Sequence, residues 1–151
     1  MKPLLLLTVL LFTARVAAQS GFGAPSENAA KGNRLVGAWK LVSLEEPGAD
    51  GRMHKADCAG MFVFTPGGRA SVQVMYRNAG TGNLYAQGGY EASYGSYRID
   101  SASVFTFHVE GALVRALIGK DWKRAYEISA DHLTVKPLDE NEHWKVIWER
   151  Y

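Results

Sequence analysis

The sequence predicts an all-β protein, with eight antiparallel strands closed into an up-and-down barrel. Three observations predict it. From Leu35 onward apolar residues recur with period two rather than 3.6. Val, Phe, Tyr, Trp and Thr are frequent, and no long amphipathic helical stretch interrupts them. Turn residues punctuate the chain often enough to fit eight short strands into about 115 residues. Closure removes the exposed edges that an open sheet must protect. An eight-stranded barrel has an interior just wide enough for side chains or one small ligand. The alternative is a seven-stranded sandwich, which usually needs longer Greek-key connections.

The first strand is expected over Val36–Leu44, with Trp39 and Leu41 on one face. Pro47, Gly48 and Asp50-Gly51 mark a loop, and Met61–Thr65 is the second strand. Pro66-Gly67-Gly68 turns the chain into the third strand, Ala70–Tyr76. Arg77–Gly89 is a Gly- and Asn-rich connection with room for one helical turn around Leu84. Tyr90–Ile99 and Ser103–Glu110 flank a turn at Asp100-Ser101. A connection through Leu113, Leu117 and Ile118 leads to Asp121–Ile128. His132–Lys136 follows a turn at Asp131, and Trp144–Arg150 follows the acidic turn Pro137–Glu142.

Composition narrows the class. Of 151 residues, 47% are hydrophobic and 21% charged, which fits an ordered globular chain and not a disordered one. A formal charge of +2 gives no basic face for nucleic acid. One cysteine, Cys58, excludes an intrachain disulfide. Lys2, the apolar run Leu4–Phe12, and Val16 and Ala18 at the −3 and −1 positions form a signal-peptide pattern cut after Ala18. The apolar run is far short of the ~20 residues that span a bilayer, so no stable membrane insertion is expected after cleavage. Residues 1–18 are thus read as a signal peptide, 19–33 as a flexible lead and 34–151 as the barrel domain. The protein is expected to be secreted or periplasmic. Without residues 1–18, basic and acidic residues balance at 15 each.

Several segments resemble the bacterial and fungal lipocalin-like domain family. Gly37-Ala38-Trp39 looks like the lipocalin G-x-W signature within Leu35–Leu41. Phe64–Gln73, Tyr94-Gly95-Ser96-Tyr97, His108-Val109-Glu110-Gly111 and Trp148-Glu149-Arg150 follow in the family's order, over roughly residues 34–151. The resemblance implies a small barrel with an internal cavity. It also implies that Trp39 packs under Arg150 and closes the barrel floor, a structural pair in which a guanidinium stacks on an indole face. Some relatives look like cyclases or isomerases of hydrophobic biosynthetic intermediates. The chain departs from the family at Ala79–Leu84 and Leu113–Ile118, two loops expected at the barrel mouth, so ligand preference does not carry over.

Alternation along each strand offers two faces, and both contain aromatics. One assignment places Val72, Val74, Tyr94, His108, Arg124, Tyr126 and Trp148 toward the cavity as ligand-binding positions. A buried Arg124 demands a carboxylate or several acceptors, and would suit an anionic head group. The other assignment pairs Arg124 with Glu110 or Glu149 on the outer surface. His108, with Tyr94 and Arg124, is the candidate acid–base set for enolisation or cyclisation. Its structural counterpart is a strand histidine satisfied by a neighbour. His54, Asp57 and Cys58 share a loop but lack metal-ligand spacing, and read as a polar loop with a free thiol. His143, beside Glu140 and Glu142, reads as part of a solvated turn.

Two functions remain: an exported binder of a small hydrophobic molecule, needing no cofactor or metal, or an isomerase or cyclase using the same cavity. A third, weaker reading is an interaction module with a filled core. The sequence leaves the oligomeric state open.

Overall fold

The structure, a computed structural model, describes residues 33–80 and 83–151. The export signal expected over residues 1–18 and nearly all of the lead to residue 33 lie outside the described residues. Among the described residues nine strands form: β1 (Gly37–Pro47), β2 (Met53–Lys55), β3 (Cys58–Phe64), β4 (Arg69–Tyr76), β5 (Tyr90–Ser101), β6 (Val104–Ala112), β7 (Asp121–Ser129), β8 (His132–Pro137) and β9 (Lys145–Arg150). All neighbours pair antiparallel from β3 to β9, and β1 pairs with both β3 and β9. That second pairing closes an eight-stranded barrel and excludes the sandwich.

β2 is the ninth strand, and it lies outside the ring. β1 runs on past the barrel, and its last three residues, Glu45–Pro47, pair with Met53–Lys55. The loop signals at Pro47 and Asp50-Gly51 were right, but the turn they make is a hairpin. The β3 strand also begins at Cys58, three residues before the alternation at Met61 becomes clear. No helical turn forms around Leu84 among the described residues; Asn83 Oδ1 instead accepts from the backbone N–H of Tyr85 and Ala86, at 2.8 and 2.9 Å. Self-capping by Asn competes with helix at such positions. The Leu113–Ile118 connection holds a single 3-10 turn, Arg115–Leu117.

The barrel has a filled end and a hollow end. At the filled end Leu35, Trp39, Phe64, Phe105 and Leu133 are essentially without exposure. Phe64 meets Phe105 and Tyr97 edge to face, with ring centroids 5.5 and 5.0 Å apart, the preferred geometry for aromatic quadrupoles. Trp39 donates its indole N–H to the Leu35 carbonyl at 2.8 Å. The guanidinium of Arg150 lies 4.3 Å from the Trp39 ring and donates to the carbonyls of Val36 and Arg34 at 3.0 and 2.9 Å. Gly37, at φ +143°, makes room for it, because a Cβ there would stand 2.4 Å from Arg150 Nη1. The glycine and tryptophan of the G-x-W signature thus serve one contact.

Toward the other end the inward residues become small. Val72, Val74, Ser93, Val109, Val135 and Val146 face inward there, and their short side chains leave the interior unfilled.

Candidate functional site

A cavity of about 390 Å³ occupies the hollow half of the barrel. This lies within the usual range of small-molecule sites, ~300–1,000 Å³. Its walls are Phe62, Val72, Val74, Phe107, Val109 and Trp148. Its mouth lies where the chain turns between strands: Glu46 and Pro47 at the end of β1, Asn83–Tyr85 before β5, Leu117 before β7, and Asn141–Trp144 before β9.

Two polar groups sit at this mouth. The first is centred on Arg124, only 7% exposed. Its position on β7 faces inward with Trp122 and Tyr126, as strand alternation requires. The guanidinium donates to Tyr85 Oη at 2.7 Å and pairs with the Glu142 carboxylate at 3.4 Å. Glu142 also accepts from Trp144 Nε1 at 2.9 Å and from the Tyr85 hydroxyl. Three rings surround the cation, those of Trp144, Trp122 and Tyr85, at 4.9, 5.0 and 5.5 Å from the guanidinium carbon. Burial pushes the Tyr85 hydroxyl well above its ordinary range, partly offset by Arg124. It therefore stays protonated and serves as a donor to Glu142 and an acceptor from Arg124.

The second group is acidic. Glu46 accepts from the Tyr76 hydroxyl and from Asn83 Nδ2, both at 3.3 Å, and Asn83 also donates to Tyr76 Oη at 2.8 Å. Glu91, on β5, lines the same cavity and accepts no hydrogen bond from any described residue. Burial pushes its carboxyl up to about 7, with Arg124 pulling the other way and Glu46 reinforcing the rise. In the walls, the indole N–H groups of Trp122 and Trp148 are buried without an acceptor among the described residues.

The residues expected at the site divide cleanly. Val72, Val74, Arg124 and Trp148 line the cavity. Tyr126 faces inward but sits nearer the filled end, its ring 5.8 Å from Phe105, and is not part of the cavity wall. Tyr94 and His108 are corrected: both lie on the outside. Tyr94 is 56% exposed and lies opposite Gly111. Its ring covers that glycine so closely that an added Cβ would meet the ring carbons at 2.4–2.5 Å. An aromatic ring laid over a cross-strand glycine shields backbone from water on the outer face. His108 is half exposed, and its Nδ1 lies 2.7 Å from Asp121 Oδ1. The acid–base set of His108, Tyr94 and Arg124 is therefore not assembled, because the barrel wall separates Arg124 from the other two.

The surface partners proposed for Arg124 are taken: Glu110 pairs with Arg69 and Glu149 with Lys40. The segment expected as a polar loop spans β2 and the start of β3, where His54 pairs with Asp50 and Asp57 with Arg77. Burial pushes the Cys58 thiol up to about 11. Among the described residues no group of three His, Cys, Asp or Glu side chains is placed to hold a metal ion. Sequence reading missed Glu46, Tyr85, Glu91, Glu142 and Trp144. The acidic turn before β9 looked solvated, but Trp144 and the interior Arg124 draw Glu142 into the mouth.

This arrangement, a closed antiparallel barrel with a filled floor and an apolar cavity open at one end, is that of a lipocalin-like protein. The chain belongs to the lipocalin-like domain family, whose model matches residues 36–151. Among solved structures it is similar to a lipocalin-like protein from Bacteroides uniformis, at 17% identity and a TM-score of 0.49, covering 78% of this chain and 98% of that one. It is similar also to an uncharacterized protein from Bacteroides eggerthii, at 17% identity and a TM-score of 0.48, covering 78% and 99%. No curated protein matches the chain.

Proposed function

We propose that the protein is an exported carrier that binds one small hydrophobic molecule inside the barrel. The cavity carries this reading: about 390 Å³ of space with apolar walls, a polar mouth and a sealed floor. A ligand burying ~200 Å² of apolar surface there gains roughly 5 kcal/mol before the costs of immobilisation, at ~25 cal/mol per Å². Polar groups confined to the mouth fix which end of the ligand enters first. The export signal read at residues 1–18 supports a role outside the cytoplasm.

The test is native mass spectrometry of the protein recovered from the periplasm or medium. A retained small molecule, together with a new N-terminus near Gln19, supports the reading. A protein that emerges empty and takes up no apolar probe overturns it. One feature favours the isomerase or cyclase reading: Glu91 lines the cavity with no hydrogen-bond donor among the described residues, and burial raises its carboxyl to about 7, which suits it to moving a proton. A retained molecule that comes back as an isomer after incubation, and only when Glu91 is intact, would replace carriage with turnover.

A further inference from the structure

We propose that the cavity selects lipophilic amines, seating a protonated nitrogen on Glu91 while the apolar body fills the barrel. This rests on the carrier reading and names its ligand class.

The charge inventory of the wall is lopsided. Glu46, Glu91 and Glu142 line the cavity against a single guanidinium, that of Arg124, with the His143 imidazole also at the mouth. At first sight that arginine invites a carboxylate ligand, such as a fatty acid. Its bonding argues otherwise. One face of the fork is held by Glu142 and Tyr85, and the rings of Trp122, Trp144 and Tyr85 occupy its surroundings. A ligand carboxylate would compete with Glu142 for the same guanidinium and bring a further negative charge to a mouth that already holds three carboxylates.

Glu91 is in the opposite state. It is half-buried, lines the cavity, and accepts no hydrogen bond from any described residue. Glu46, at the same mouth, adds a second negative charge and already has Tyr76 and Asn83 as donors. A partly desolvated cleft of one sign focuses its field on a ligand of the other sign. An ammonium supplies both what Glu91 lacks, a donor and a positive charge, and a charge-assisted bond of that kind is stronger than a neutral one. A neutral alcohol supplies only the donor, and a carboxylate supplies neither.

The test uses three probes with one tail: n-decylamine, n-decanol and decanoate at micromolar concentration, pH 7.5. Trp122, Trp144 and Trp148 line the cavity, so intrinsic fluorescence reads occupancy directly. Decylamine should bind at least tenfold more tightly than decanol, and decanoate most weakly. Glu91→Gln, an isosteric change, should reduce decylamine affinity about tenfold and leave decanol within twofold. If decanol binds and decanoate equals or exceeds decylamine, the amine assignment fails while carriage stands. An unchanged amine-to-alcohol ratio in Glu91→Gln also overturns it. If none of the three binds, both readings fall together. The ranking in the unmodified protein needs no variant, so a misfolded substitution cannot shield the proposal.

Discussion

The barrel holds two arginines against tryptophan, one at each end, and they are anchored differently. At the filled end Arg150 lies over Trp39, and its fork is satisfied by the carbonyls of Val36 and Arg34. At the hollow end Arg124 lies among Trp122, Trp144 and Tyr85, and its fork is satisfied mainly by side chains, Glu142 and Tyr85. Those backbone acceptors lie in the turn leading into β1, on either side of the Leu35 carbonyl that the Trp39 indole holds, and a main-chain carbonyl there cannot swing away as a side chain can. Side-chain acceptors sit on loops and can rotate. The same cation-on-indole chemistry therefore seals one end and leaves the other adjustable, as a closed floor and a working mouth require.

The comparison can be broken in order of expected effect. The largest change should come from Arg124→Met, which strands the buried Glu142 carboxylate and should cost ~3–5 kcal/mol by denaturant unfolding. Adding Glu142→Gln should recover most of that loss, because the uncompensated charge disappears with it. If the double variant is as unstable as the single one, the mouth is held by packing and not by charge.

The next effect is a pH dependence confined to the mouth. Glu91 has its carboxyl raised from 4.5 to about 7 in the folded state. Its folded form holds a proton that the unfolded chain has already released. Stability from this group is thus complete below pH ~4.5 and falls as pH rises to about 7, by roughly 3 kcal/mol at ~1.4 kcal/mol per pH unit. Glu91→Gln should flatten thermal stability across that window, becoming the more stable form at pH 8. An identical slope in both proteins would show that Glu91 titrates normally.

At the floor, Arg150→Ala removes a ring contact and two hydrogen bonds from a partly solvated side chain, and should cost ~1–2 kcal/mol. Ligand affinity at the distant mouth should not change. Loss of affinity would show that the ends are coupled. The smallest effect should be His108→Ala, under about 0.5 kcal/mol, since its pairing with Asp121 lies on the surface. It should leave probe binding unchanged, which separates the outer face from the cavity.

Most of the fold was legible because turns and alternation are local signals, and closure follows once eight short antiparallel strands have edges to protect. The eight barrel strands fall where period two and the Gly, Pro and Asp turns place them. The β2 hairpin was missed because Met53–Lys55 is exposed and carries no apolar alternation. The site was half legible for a different reason. On β5 the inward residues are Glu91, Ser93, Gly95 and Tyr97, while Tyr90 and Tyr94 face out. A strand that lines an empty space carries small and polar residues inward, so its pattern reads as inside out. That inversion put Tyr94 in the cavity and hid Glu91. His108 stands opposite Ser96 on the same outer face, a register that alternation within β6 alone does not fix. On β7 no inversion occurs: Arg124 shares the inward face with Trp122 and Tyr126, though alternation alone left it open between the cavity and an outer-surface pair.

The pairing of β1 with β9 has a practical consequence. Asn33, the first described residue, donates to Tyr97 Oη at the floor, and the backbone N–H of Tyr151 reaches the Ala38 carbonyl nearby. Both ends of the barrel domain therefore emerge on the side away from the mouth. A reporter or surface tether joined after Tyr151 leaves the opening clear. A short linker from Tyr151 to Asn33, with new ends cut in the exposed turn at Asp50-Gly51, gives a circular permutant that carries its fusion partner at the rim instead. The two constructions would place a sensor domain at the sealed pole or beside the opening of the same vessel.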